Sequence, residues 1–125
     1  LGVRGYVEYP SYKAVQLKFE IVFKSGVTIN TELSAIQSAT RELIVNTINN
    51  LPRGANLTPA DLNRIVLDQP TVVNSRILEM SISDYSLLDE QIHNKEIVMP
   101  TVKNLNADEK WLTTDNLVTY CAVNN

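Results

Sequence analysis

The order of hydrophobic patterns in residues 12–67 constrains the fold more than any other feature of the sequence. Over residues 15–23, apolar side chains alternate with more polar ones that include Lys18 and Glu20, and a period of two is typical of a strand with one buried face. Over residues 33–51, apolar residues recur every three or four positions, which is the period of an amphipathic helix. The fold is therefore predicted to start with a strand and a long helix.

The long helix is predicted over residues 31–51, with Thr31 as its N-cap. Pro52 and Gly54 follow the last apolar residue and end the helix. We expect Leu43 to pack against the buried face of the strand. That face comprises Leu17, Phe19 and Ile21.

The rest of the chain is predicted to add one short helix and two further strands. Thr58 followed by Pro59 is a helix-start signal, so a second helix is predicted over residues 58–67. Residues 72–82 return to a strand pattern, and residues 116–123 are predicted to form a final strand. The apolar positions that alternate in the first of these strands are Leu78, Met80 and Ile82.

Residues 84–110 are polar and are predicted to be a long loop or arm with at most one short strand. A small apolar patch, Ile97, Val98 and Met99, interrupts this segment. The patch could add a strand to a neighbouring protein's sheet, or it could join the sheet of its own domain. Trp111 has two interpretations as well: it either closes the hydrophobic core or contacts a partner. These four residues are the predicted partner interface.

Length and composition predict a single domain. The 125 residues are 44% hydrophobic and 20% charged, as in packed globular domains. Residues 1–11 are predicted to be a linker or an edge strand, and residues 12–125 the domain itself. The net charge of −3 gives no basic surface for nucleic acid. Neither a membrane-spanning run nor a signal peptide is recognisable, so no membrane partner is expected.

The sequence contains no recognisable catalytic or metal-binding motif. His93 is the only histidine and Cys121 the only cysteine, whereas metal sites need several such ligands together. Cys121 is predicted to be a small core residue of the last strand. The acidic residues Asp84, Asp89 and Glu90 lack the spacing and the glycine of a calcium loop. We therefore expect no enzyme activity, no cofactor and no metal.

Five short stretches, residues 15–21, 36–39, 48–54, 62–65 and 70–72, follow one another in an order that resembles the C-terminal part of the baseplate J-like family, whose members build the wedges of contractile phage tails. The resemblance covers residues 13–82. The shared pattern begins with an alternating strand and a helix that ends in a motif of asparagine, leucine and glycine. A short helix with a leucine and an isoleucine follows, and a proline and a valine then lead into the next strand. The strand corresponds to residues 15–21, the body and end of the helix to residues 36–39 and 48–54, the short helix to residues 62–65, and the entry to the next strand to residues 70–72.

This resemblance implies a structural protein of the virion, assembled in the host cytoplasm. It implies other baseplate or tail proteins as partners, together with self-association, and it brings no catalytic residues. The alternative is a small ferredoxin-like domain that binds a ligand or regulates by pairing subunits. In either case we expect an α+β fold in which a long and a short helix pack on one face of a small, mainly antiparallel sheet.

Overall fold

The structure is a computed structural model that describes residues 11–123. The α+β class predicted from the sequence is confirmed. The prediction of a linker or edge strand at residues 1–11 lies outside the described residues, apart from Ser11, which begins the first strand. The elements in chain order are β1 (Ser11–Phe23), α1 (Ile29–Asn49), α2 (Pro59–Leu67), β2 (Val72–Ser86), β3 (Gln91–Val98), β4 (Glu109–Leu112), a 3-10 turn (Asp115–Leu117) and β5 (Val118–Val123).

The five strands form one mixed sheet around β1. On one side the order is β1, β2, β3, and both pairings are antiparallel. On its other side β1 pairs in parallel first with β4 and then with β5, which follow one another along the same edge. The longest ladder, between β1 and β2, is antiparallel as expected, whereas the sequence did not predict the two parallel pairings.

Both helices pack on one face of this sheet. The alternation predicted for β1 is confirmed, because its odd-numbered residues from Val15 to Phe23 are buried in the core. The helices add an apolar stripe to the same core cluster. The helical members of that cluster are Ile36, Ile44, Ile48, Leu62 and Val66. We call this side of the sheet the helix face and the opposite side the outer face.

The position predicted for Leu43 is wrong. Its side chain is 54% exposed, whereas Ile44 is fully buried. Successive residues of an α-helix are separated by about 100° around the axis, so Leu43 and Ile44 cannot both face the sheet. The buried residues of α1 are spaced by four, with Thr40 between Ile36 and Ile44, and this narrower stripe excludes Leu43.

A β-bulge displaces Leu78 from the predicted pattern of β2. Phe19 lies opposite Ile77 and Lys18 lies opposite Glu79, so Leu78 is the extra residue between them. A bulged residue leaves the regular alternation of a strand, and Leu78 is accordingly exposed.

Residues 84–110 do not form the predicted loop or arm. They contain the end of β2, the whole of β3 and the start of β4. Residues 87–90 form a short turn between β2 and β3, and residues 99–108 form the longer connection between β3 and β4. In that connection Lys103 is held by a two-residue bridge to Leu57. Seven of the eight residues of β3 are exposed. Because a strand that is exposed to solvent on both faces shows no alternation of apolar and polar residues, the sequence did not predict β3.

Candidate interaction surface

β3 is an edge strand with solvent on both faces. β2 is its only strand neighbour among residues 11–123. An edge strand presents unpaired backbone N–H and C=O groups on its free side. Ile97 is 68% exposed and Met99 is 71% exposed, and Leu87, Leu88 and Ile92 are exposed nearby. We call these five residues the hairpin surface.

Asp89 organises the turn that joins β2 to β3. Its Oδ1 accepts a hydrogen bond from the backbone N–H of Gln91 at 3.0 Å, and its Oδ2 lies 2.9 Å from Nε2 of His93. Partial desolvation acts to raise the pKa of Asp89, but the hydrogen bonds from Gln91 and His93 outweigh it and hold that pKa below its usual value. These contacts fix the start of β3 relative to the turn.

A second bulge lies within β3 itself. Ile82 faces Glu96 and Asp84 faces His93, so two residues, Asn94 and Lys95, lie opposite the single Ser83. Asn94 adopts a φ of 56°, a left-handed conformation that asparagine accepts more readily than most residues. The bulge reverses which face each later residue of β3 occupies.

Asp84 links the bulge to the centre of the sheet. Its Oδ2 accepts a 3.0 Å hydrogen bond from Nδ2 of Asn94, and its Oδ1 forms an ion pair with the Nζ of Lys13. The Lys13 ammonium, with help from Asn94, holds the pKa of Asp84 below its usual value, and Asp84 raises the pKa of Lys13. Lys13 also lies 3.5 Å from a carboxylate oxygen of Glu109, so polar contacts run across four strands.

Beside Ile92, a cavity of about 350 Å³ opens on the outer face of the sheet. Its apolar lining comes from four strands and the 3-10 turn. Tyr85 and Tyr12 pack edge to face next to it, with ring centroids 6.5 Å apart. The apolar lining residues are Ala14, Tyr85, Ile92, Leu112 and Leu117.

The four residues predicted as a partner interface separate into two groups. Ile97 and Met99 are exposed, and Val98 is half-buried against the core while it pairs with Met80. Trp111 is only 1% exposed, and its Nε1 donates a 2.9 Å hydrogen bond to the carbonyl of Ala55. The structure therefore corrects the hypothesis of a partner contact at Trp111. Its ring lies in the core, and it belongs to β4, which is separated from β3 by β2 and β1 in the sheet.

Sequence reasoning missed the other members of the hairpin surface. Leu87, Leu88 and Ile92 are flanked by polar residues, and nothing in their spacing distinguishes an exposed hairpin from a loop. Cys121 was also misplaced: it is half-buried and lies opposite Glu20 on the outer face, not in the core.

The described residues hold no group of three or more His, Cys, Asp or Glu side chains that could bind a metal ion. No helix within residues 11–123 is both long and apolar enough to cross a membrane. Compared with known families and with curated proteins, the sequence matches no family model and no curated protein.

Proposed function

We propose that this domain is a structural protein–protein interaction module that docks onto its neighbours through the hairpin surface. The observation that carries the proposal is β3, an eight-residue edge strand that contains the exposed Ile92 and Ile97 and is followed by the exposed Met99. Exposed edge strands attract further strands, and grouped apolar side chains on a surface mark contact sites. Backbone pairing would give affinity, while the side chains of the strand would select the partner.

The proposed setting is the baseplate of a contractile phage tail, with other baseplate or tail proteins as partners and the virion as location. This part of the proposal is supported by the resemblance of residues 13–82 to the baseplate J-like family. The strand, helix, helix, strand order of β1, α1, α2 and β2 agrees with the pattern on which that resemblance depends. In this role the domain has no catalytic task.

The ferredoxin-like alternative is less well supported. That fold has the order βαββαβ, whereas α1 and α2 follow one another between β1 and β2 in the described part of this chain. The outer-face cavity has a mainly apolar lining and offers few polar groups that could orient a ligand.

The proposal is tested by co-expressing the chain with the products of neighbouring coding regions and measuring hydrogen exchange in any complex. We expect amides of residues 91–98 that exchange freely in the isolated domain to become protected on binding. Ile97→Asp should weaken the complex, whereas Leu43→Asp, which changes an exposed leucine of α1, should not. Absence of any complex, or a complex weakened by Leu43→Asp alone, would overturn the proposal.

A further inference from the structure

We propose that one partner of β3 is β3 of a second copy, paired antiparallel so that Ile92 of each copy lies opposite Ile97 of the other. This inference rests on the proposed function, because it names an occupant of the same edge. It specifies a two-fold axis between Asn94 and Lys95, and it therefore predicts which residues meet.

The bulge at Asn94 is what makes this register possible. Residues directly opposite each other in an antiparallel pair lie on the same face. Ile92 and Ile97 are five positions apart and would occupy opposite faces of a regular strand. Here Ile92 lies beside Tyr85 and Ile97 beside Ser81. Those two β2 residues are four positions apart, so the bulge places both isoleucines on the outer face.

The side chains are complementary in this register. Each Ile92 meets an isoleucine on the outer face, and each His93 meets the carboxylate of Glu96 on the helix face. Both Glu96 and His93 are exposed, so these groups can reach a second copy. Apolar and opposite-charge cross-strand pairs both stabilise a sheet.

Neighbouring registers are less favourable. With the two-fold axis at Lys95, the two lysines would face each other and Ile92 would meet Val98, which lies on the helix face. With the axis at Asn94, His93 would meet Lys95 and Ile92 would meet the charged Glu96. Bulges and lysines normally protect edge strands from indiscriminate pairing. In β3 the bulge and Lys95 disfavour the two registers next to the proposed one.

The size of the contact predicts a weak dimer. A single eight-residue strand pairing is small compared with the roughly 1,200–2,000 Å² buried in stable interfaces. We therefore expect association that depends strongly on concentration and becomes effective when an assembly holds two copies side by side. The interface is isologous, so it closes after two copies and does not propagate.

Cysteine cross-linking tests the register. In a Cys121→Ser background, Ile92→Cys and Ile97→Cys variants are mixed at high concentration and oxidised. We expect a disulfide-linked heterodimer, because facing residues of paired strands come within disulfide range. Neither variant alone should cross-link, since the same residue of two copies is then separated by about 16 Å along the strands. A mixture of His93→Cys with Ile97→Cys reports the register centred on Lys95 and should not cross-link.

Sedimentation provides a second measurement on the same chain. Ile97→Asp should weaken the concentration-dependent dimer by about tenfold or more, whereas Leu43→Asp, at an exposed position of α1 outside the hairpin surface, should not change it. Equal cross-linking in all mixtures, or none in any, overturns self-pairing. If Ile97→Asp nevertheless weakens binding to a neighbouring gene product, the proposed docking function stands. If both effects are missing, both proposals fail.

Discussion

The side chain of Asn49, at the end of α1, forms two hydrogen bonds with the backbone of Thr113, one through each of its polar atoms. Oδ1 accepts from the Thr113 N–H at 2.8 Å and Nδ2 donates to the Thr113 carbonyl at 3.1 Å. Thr113 lies where β4 stops and the chain turns away before β5, and its hydroxyl donates a 2.7 Å hydrogen bond to the carbonyl of Val15. The helix thus supplies the hydrogen bonds that the interrupted strand lacks.

Replacing Asn49 by alanine should therefore destabilise the domain. The substitution leaves the buried backbone of Thr113 without two partners, and we expect a loss of about 1–3 kcal/mol in the free energy of unfolding. Asn46→Ala, at an exposed position of the same helix, should change it by less than about 0.5 kcal/mol. Urea denaturation of the two variants checks this, and equal effects would mean that the Asn49 contact contributes nothing specific.

The two neighbours Leu43 and Ile44 should respond very differently to truncation. Ile44→Ala removes a fully buried side chain and leaves a cavity, so it should cost about 2–5 kcal/mol. Leu43→Ala removes a side chain that is mostly in water and should cost less than about 1 kcal/mol. Thermal or urea unfolding distinguishes the two. A larger effect at Leu43 would require α1 to be rotated by about one residue on the sheet.

The ion pair of Lys13 and Asp84 should make stability depend on pH at both extremes. The pKa of Asp84 is lower in the folded state than in the unfolded chain, mainly because of the hydrogen bond from Lys13. The stabilisation that the Asp84 carboxylate gives to the folded state is therefore fully present above about pH 4. It is lost as the pH falls through the pKa of Asp84 in the folded state. The pKa of Lys13 is raised, with Asp84 as the largest cause, so that contribution disappears only as the pH rises above about 10.4.

Asp84→Asn should cost about 0.2–1 kcal/mol at neutral pH, the range for exposed ion pairs. The cost should shrink toward zero below pH 4 and should be much smaller in a Lys13→Met background. Urea unfolding of the four proteins at several pH values completes this cycle. A cost that is the same at pH 3 and pH 7 would rule out the charge interaction as its cause.

Trp111 gives a direct optical test of the core. It is the only tryptophan in the sequence, so the intrinsic fluorescence excited at long wavelength reports on this residue alone. We expect blue-shifted emission and weak quenching by acrylamide, because the ring is buried. Both should remain unchanged when a partner binds at the hairpin surface. Strong quenching in the isolated domain would mean that Trp111 is exposed, and it would support the hypothesis that Trp111 contacts a partner.

The local pattern of apolar and polar residues was sufficient to predict a helix or strand wherever that element buries one face. The alternation over residues 15–23 predicted the buried residues of β1, and Thr58-Pro59 placed the start of α2 within one residue. The period of α1 predicted a long amphipathic helix, although the structure begins it at Ile29, two residues before the expected cap. In these segments the side chains that drive burial are close in sequence, so their spacing carries the information.

Tertiary structure decided what depends on residues distant in sequence. The bulge that exposes Leu78 arises from pairing with β1. Ile44, and not Leu43, is buried because it lies on the side of α1 that packs against the core. The parallel edge formed by β4 and β5 depends on contacts such as Asn49 with Thr113, which are 64 positions apart. β3 is the clearest case. β3 is a strand because its backbone pairs with β2. Backbone pairing alone produces no recognisable sequence pattern when the side chains of the strand remain exposed to solvent.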